Sequence, residues 1–368
     1  MTAKGGLTLL ALATAACGHP RPVPPITTQQ QSYGRFQPVV DYLRTQVDSA
    51  FPGATVAVGY GDSVVLLAAV GHYAASDKRP VTTETIYDLA SLTKVIALTT
   101  ECILLVDRGK LDLDAPVQRY VPEFRGPMKD QVTIRYLLTH SAGLVADLPL
   151  WDSTRTREAA LAMVDTSPLV SPPGTRFVYS DLSAIVLMQV VERITGRPFD
   201  QLLADDVFTP LGMTSTGFAP PATWRDRIAP TEVDTFFRHR LLVGEVHDES
   251  AARLGGVSGN AGLFSTAPDL ALFARWLLHK RAEGGVVLRF TQKQNIPPGS
   301  SRALGWDTPS ENSSAGTKMG PNAFGHTGYT GTSIWFDPDR GVYIILLTNR
   351  VNPTRANVRI LGDRKSVV

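Results

Sequence analysis

The patterns that most restrict how this chain can fold sit towards its two ends, where strand-like segments bracket a long stretch of helical periodicity. Ala54 to Tyr60 and Ser63 to Val70 are two β-rich runs joined at Gly61-Asp62, the signature of a hairpin. Far along the chain, Gly331 to Phe336 and Val342 to Thr348 form a second pair, turned by Asp337-Pro338-Asp339-Arg340-Gly341. Between these pairs, from Lys94 to about Leu203, apolar residues recur with a helical period, as in Ala184 to Ile194. Phe36 to Phe51 also reads as a helix, with Val39, Val40, Leu43 and Val47 on one face. The expectation is an α+β fold in which a sheet drawn from both ends encloses a helical insert, with no internal repeat. At 368 residues and 43% hydrophobic, the chain can bury a sizeable core in one or two domains. A formal net charge of +2 and the lack of any basic run argue against nucleic acid as a partner.

Within this frame, Ser91 and Lys94 in Tyr87-Asp88-Leu89-Ala90-Ser91-Leu92-Thr93-Lys94 stand three apart at what reads as a helix start. Residues i and i+3 share a helix face, so hydroxyl and amine become neighbours. A serine hydroxyl is a weak nucleophile near neutral pH, and an adjacent amine is one way to activate it. Taken alone, a capping serine followed by a solvated lysine gives the same tetrapeptide. Three further segments come later in the chain, in order: Thr133-Ile134-Arg135-Tyr136-Leu137-Leu138-Thr139-His140-Ser141-Ala142-Gly143-Leu144, then Tyr179-Ser180-Asp181, then His326-Thr327-Gly328.

Together these four segments resemble the serine β-lactamase and penicillin-binding-protein superfamily, in the branch of class C β-lactamases, D-amino-acid peptidases and carboxylesterases. The resemblance runs from about Tyr33 to about Leu361. It implies a β-lactamase/transpeptidase-like architecture: an antiparallel sheet flanked by helices, an all-helical region, and an active site between them. The catalytic domain would cover 34–362, with its helical insert at about 95–250. The resemblance assigns Ser91 as the nucleophile that is acylated, Lys94 as its neighbour, and Tyr179 as a candidate base. A tyrosine with an ordinary pKa near 10 serves as a base only if a cation such as Lys94 favours its phenolate, so the two titrate together and either could take the proton. The backbone N–H groups of Ser91 and Tyr329 would face the oxyanion, and His326, Thr327 and Gly328 would line the substrate.

Two positions depart from the class C pattern: Asp181 stands where Asn is usual, and His326 where Lys is usual. A histidine near pKa 6.5 is mostly neutral at pH 7, which weakens the permanent charge that holds a substrate carboxylate. Asn352-Pro353-Thr354-Arg355 resembles the class C segment whose Asn and Arg lie near that carboxylate, so Arg355 is a candidate for the missing cation. Gly255 to Thr266 resembles a wall of the site and is no phosphate loop, since no Gly-Lys-Ser/Thr comes after it. His140 is expected to order the turn after its helix. No cofactor is implied, and His247-Asp248-Glu249 lacks the second ligand pair of a metal site. No Gly-x-Ser-x-Gly elbow exists, so an α/β-hydrolase is excluded. The expected activity is that of a serine hydrolase on esters or amides, either a D-amino-acid peptide in the manner of a D-Ala-D-Ala carboxypeptidase or small esters. The alternatives are a β-lactamase and, in another class, a non-catalytic lipoprotein that binds wall peptides. The expected partner is a small-molecule or peptide substrate, and the expected state is a monomer.

The ends carry different signals. Met1 to Ala16 has a lone Lys4, an apolar run and small residues before Cys17, which reads as a secretory leader too short to span a bilayer. Ala15-Ala16-Cys17-Gly18 resembles a lipobox with Thr14 in place of Leu, so Cys17 is the expected lipidation site and the bacterial cell envelope the expected location. Residues 17–33, rich in proline and glutamine, are expected to form a tether. The membrane would then be met only through this anchor. Cys102, the remaining cysteine, is expected as a buried helix residue with no disulfide. Asn352-Pro353 reads as a cap and first-turn proline for a helix over Thr354 to Leu361, and residues 363–368 read as a foreign tail that interrupts it. The anchor predicts globomycin-sensitive processing and a diacylglyceryl-cysteine N-terminus at Cys17; mass spectrometry finding an unmodified terminus at another residue would remove it.

Overall fold

The computed structural model describes residues 33–360 other than Asn312, so the expected leader, Cys17, the tether before Tyr33 and the segment 363–368 lie outside the described residues. Six strands form one sheet: β1 (Gly53–Tyr60), β2 (Ser63–Ala74), β3 (Asp77–Pro80), β4 (Phe324–Thr327), β5 (Ser333–Asp337) and β6 (Val342–Thr348). Every neighbouring pair is antiparallel, in the order β3-β2-β1-β6-β5-β4. The two ends of the chain therefore meet at the centre of the sheet, with Ala54 opposite Thr348 and Val58 opposite Ile344. Both expected hairpins are present; β2 runs on to Ala74, and β5 begins at Ser333 rather than Gly331.

Four helices support the sheet and the site: α1 (Gln37–Gln46), α2 (Thr100–Asp107), α3 (Asp181–Thr195) and α4 (Ala267–Ala282). The period-2 alternation of the strands gives the sheet two apolar faces. On one, Ala54, Val56, Leu66, Ala68 and Val70 pack with Val40 and Leu43 of α1. On the other, Ala57, Tyr343, Ile345 and Leu347 join Leu270, Phe273 and Leu277 of α4 in the large core that continues through the helical region. A Cβ at Gly59 would fall 1.9 Å from the Tyr343 ring, so glycine there is what lets the tyrosine lie across β1.

Two expected helices differ. α1 stops at Gln46 instead of reaching Phe51, because Asp48 adopts a positive φ of 64° and donates its N–H to Phe51 O at 2.8 Å, closing a turn. The helix expected from Thr354 is absent over 354–358. Its backbone groups are already engaged: the Arg350 guanidinium donates to Arg355 O and Asn357 O, and the Arg355 N–H donates to the Glu232 carboxylate. Asn352 does not cap a helix either; its amide donates to Thr231 O at 2.8 Å. The insert is helical as expected at 134–138, 157–166 and in α3, while 108–133 is turns and short 3-10 segments.

Cys102 is buried in α2, as expected, beside an unusual neighbour. Glu101 is fully buried, and neither carboxylate oxygen has a hydrogen-bond partner among the described residues. Burial first, then the charge of Asp206, push its pKa up to about 7. Since the unfolded chain holds this group near 4.5, the folded state binds the proton more tightly, and stability is lost as pH rises from there through about 7. Glu101→Gln is expected to remove about 3 kcal/mol of the wild-type loss in unfolding free energy between pH 5 and pH 8. Urea titrations at the two pH values would measure it, and an equal loss in both proteins would refute it.

Candidate active site

Short-range geometry brings Ser91 and Lys94 together. Tyr87–Asp88 pairs with Leu263–Ser265, and the chain then turns into a 3-10 segment, Ala90–Leu92, that feeds a π-helical run, Lys94–Thr99. Ala90 holds a positive φ of 47°, and its N–H donates to the Asp88 carboxylate at 2.8 Å. This kink places Ser91 at the head of the helical run with Lys94 one turn on. The Lys94 ammonium donates to Ser91 Oγ at 3.1 Å and to Asn260 O at 2.9 Å, and it pairs with Asp181 Oδ1 at 2.6 Å. The ammonium thus has two hydrogen bonds and a counter-charge. Burial pulls the Lys94 pKa down, but the Asp181 carboxylate and Tyr179 outweigh it and hold the group above the ordinary lysine value. Lys94 is thus a fixed cation in the resting site. That leaves no lone pair on it for the Ser91 proton.

Tyr179 arrives from the other side of the insert. Val178 N–H donates to His140 O at 2.9 Å, and Ser180 N–H donates to His140 Nδ1 at 3.1 Å, so His140 clamps both flanks of the tyrosine. The two rings lie 4.6 Å apart. Burial, then the charges of Arg302 and Lys94, push the His140 pKa well below its usual range, leaving a neutral ring whose Nδ1 accepts. The role expected for His140 is therefore met one step further on: it orders the Tyr179 segment as well as its own turn. Ser180 caps α3, accepting from Ser183 N–H at 3.2 Å, which sets Asp181 in the first helical turn facing Lys94. The Lys94 ammonium sits 5.0 Å from the Tyr179 ring centroid, close enough for Tyr179 to help raise the Lys94 pKa.

The third wall is the edge strand β4 and the turn after it. Thr330 Oγ1 donates to Asp88 O at 2.7 Å and Thr332 Oγ1 to Leu89 O at 2.9 Å, stapling this turn to the Ser91 loop. A Cβ at Gly328 would lie 2.1 Å from Thr332 Oγ1 and 2.3 Å from Leu89 O, so only glycine permits the approach. The result is a cavity of about 300 Å³ lined by Ser91, Tyr179, His326, Thr327, Gly328 and Tyr329, joined by Arg302 and Asp307. The Tyr329 N–H donates to no described residue. Its ring forms a half-exposed rim, stacked 5.7 Å from His247 and with the Arg350 guanidinium 4.5 Å from its centroid.

Three residues expected at the substrate lie elsewhere. Asp181 is spent on Lys94 and does not reach the cavity wall. Asn352 is buried against Thr231. Arg355 does not supply the missing cation, because Glu232 Oε2 accepts from its Nε at 2.7 Å and Glu249 Oε1 from its Nη2 at 2.5 Å, so its charge is neutralised twice. Of His247-Asp248-Glu249, the histidine pairs with Glu232 at 3.0 Å and the glutamate with Arg355. Burial and then the Asp181 charge push Asp248 up to about 6. No group of three or more potential metal ligands occurs among the described residues. Sequence reasoning missed Arg302 and Asp307, which carry no local motif, and Asn260, whose glycine-rich segment was recognised without the role of its carbonyl.

The chain is similar to proteins of known family and fold. A Beta-lactamase family model matches residues 39–366. The chain belongs to the β-lactamase family. A putative D-alanyl-D-alanine carboxypeptidase of Salmonella agona is 31% identical over 87% of this chain and 83% of its own length. Among solved structures, a class C β-lactamase aligns over 92% of this chain and 98% of its own, with a TM-score of 0.71 at 20% identity. A penicillin-binding-protein homologue from Caulobacter crescentus aligns over 90% and 97%, with a TM-score of 0.69 at 22% identity. As a member of the β-lactamase family, the chain is a serine hydrolase with a β-lactamase/transpeptidase fold.

The ion pair at the centre of the β-lactamase fold here gives a direct test. Asp181→Ala leaves a buried ammonium without its counter-charge and is expected to cost roughly 2–4 kcal/mol of stability, read by chemical denaturation. Asp181→Asn, which keeps an acceptor, should cost less. Equal stability of all three proteins would show that the pair carries none.

Proposed function

We propose that this protein hydrolyses esters or amides through an acyl-enzyme on Ser91, with a D-amino-acid peptide as the substrate class and small esters as accessory substrates. The carrying observation is the Lys94 contact to Ser91 Oγ at 3.1 Å beside a cavity that Ser91 and Tyr179 both line. In this reading Tyr179 reacts as its phenolate: Ser91 Oγ attacks the carbonyl carbon, and the hydroxyl proton passes to Tyr179 Oη beside the Lys94 ammonium. The carbonyl electron pair moves to oxygen and is met by the N–H groups of Ser91 and Tyr329. Collapse breaks the bond to the leaving group, which takes the proton from Tyr179. Water then hydrolyses the ester on Ser91 by the same steps. The carboxypeptidase name of the 31% identical Salmonella relative supports the D-amino-acid peptide as substrate. His326 in place of lysine, with Asp181 on Lys94, supports a preference for peptides and esters over rapid β-lactam turnover. The leader-like run before Cys17 supports placement at the cell envelope on a lipid anchor.

Ser91→Ala is expected to abolish hydrolysis of short-chain nitrophenyl esters and labelling by a fluorophosphonate or a fluorescent penicillin. Tyr179→Phe is expected to lower kcat by about 10²–10⁴-fold, the span of a lost proton-transfer group, with folding intact. Intact-protein mass spectrometry would show a transient acyl adduct in the wild type. Full turnover by Ser91→Ala would end the proposal, and the absence of any adduct or turnover in the wild type would favour a wall-peptide binder.

A further inference from the structure

The His247-Asp248 pair, set aside above as a metal site, grips both sides of the Ser91–Lys94 turn without lining the cavity. The His247 N–H donates to Asp88 Oδ2 at 2.6 Å, and Oδ1 of that carboxylate accepts from Ala90 N–H, the residue of positive φ that aims Ser91. One position on, Asp248 Oδ1 accepts from Ala251 N–H at 2.7 Å and from Asn260 Nδ2 at 3.2 Å. The first of these bonds caps the short helix Glu249–Arg253 and asks nothing of the site. The second reaches a residue that touches the catalytic lysine. Asn260 is buried, and its side chain is held at both ends, because its Oδ1 accepts from the buried Ser258 hydroxyl at 2.6 Å. The backbone carbonyl of the same residue accepts from the Lys94 ammonium at 2.9 Å. A side-chain amide fixed at its donor and its acceptor leaves the peptide that bears it little freedom to turn.

We propose that Asp248 is a positioning residue for acylation of Ser91, acting through Asn260 to keep the Lys94 ammonium against the nucleophile. The inference rests on Ser91 being the nucleophile of the proposed function, and it holds whichever group takes the serine proton. Lys94 Nζ is shared among Ser91 Oγ, Asn260 O and Asp181 Oδ1, at 3.1, 2.9 and 2.6 Å. Asp181 pulls hardest, being both charged and nearest. Without the hold of Asp248 on Asn260, the carbonyl is free to turn away, and the ammonium loses one of the two neutral contacts that fix it over Ser91. A displacement of about 1 Å at such a point costs up to about 10²-fold in rate. Substrate binding should be spared, since neither Asp248 nor Asn260 lines the cavity.

The test is single-turnover acylation of Ser91 by a nitrophenyl ester, read as a limiting rate and a half-saturation concentration. At about pH 8, above the value of about 6 to which burial and the Asp181 charge push it, Asp248 is ionised and only accepts. Asp248→Ala is expected to lower the limiting rate roughly tenfold or more, with the half-saturation concentration changed by less than about twofold. Asp248→Asn, whose amide oxygen still accepts, should recover most of that rate. Asn260→Ala keeps the carbonyl and loses the side chain, and it should match Asp248→Ala. The double variant should lose no more than either single one, because both cut the same link. Losses that multiply in the double variant, or a loss in Asp248→Asn as deep as in Asp248→Ala, would overturn the assignment. So would lower stability with an unchanged limiting rate, which is the mark of a helix cap alone. If Asp248→Ala fails to fold, Asn260→Ala and Ser258→Ala decide: a lower limiting rate in both supports the role, and an unchanged rate in either refutes it. No acylation of the wild type by the ester would instead count against the proposed function itself.

Discussion

The ammonium of Lys94 is the point from which the rest of the site is organised. It touches Ser91 on one helical turn, Asn260 in a segment 166 residues away, and Asp181 at the head of α3. Each contact ties a different part of the chain to the same few ångströms. A charge so deeply enclosed is tolerable only when it is paired, and here Asp181 supplies the counter-charge. The consequence reaches into the chemistry: an ammonium has no lone pair with which to take the Ser91 proton, so Lys94 in this state acts as a charge beside the nucleophile. Asp181 holds the ammonium more firmly than a neutral amide oxygen would, and its negative charge offsets part of the lysine's field.

Much of the fold was legible because the relevant signals are periodic and local. Short β-rich runs at 54–60 and 342–348, bounded by turn residues, marked strands that are buried on both faces, and these two pair with Ala54 opposite Thr348. Ser91 with Lys94, and Tyr179 with the Ser180 cap, were legible for the same reason: short spacing fixes their geometry wherever the helix goes. The misses have a common cause. Arg355 and Arg302 are told apart by company found only in three dimensions: two carboxylates around the first, two aromatic rings and a distant Asp307 around the second. The unformed helix at 354–358 failed likewise, since its backbone donors and acceptors were claimed by Glu232 and Arg350 from elsewhere.

His140 shows how a structural residue governs a chemical one without touching substrate. By accepting from Ser180 and receiving the Val178 N–H on its own carbonyl, it fixes the backbone on both sides of Tyr179. Its neutrality is part of the function it serves, because a protonated ring would lose the Nδ1 lone pair that Ser180 needs. Gly328 plays the complementary part across the cavity, letting β4 and the Ser91 loop meet at a distance no side chain would allow. The cleft is therefore held open by contacts among its walls, with helix, loop and edge strand each braced by another.

The pairing of β1 with β6 has a consequence for how the chain comes to be folded at all. Gly53 N–H finds the Asn349 side chain 296 positions later, so the middle of the sheet closes a loop that spans most of the polypeptide. During synthesis β1 and β2 emerge as a hydrophobic hairpin long before the strand that completes them has left the ribosome. Until then one flank of β1 is an unprotected edge, open to association with other nascent chains. For this architecture, the hazardous interval is set by translation time, and whatever shields that early hairpin shapes the yield of native enzyme.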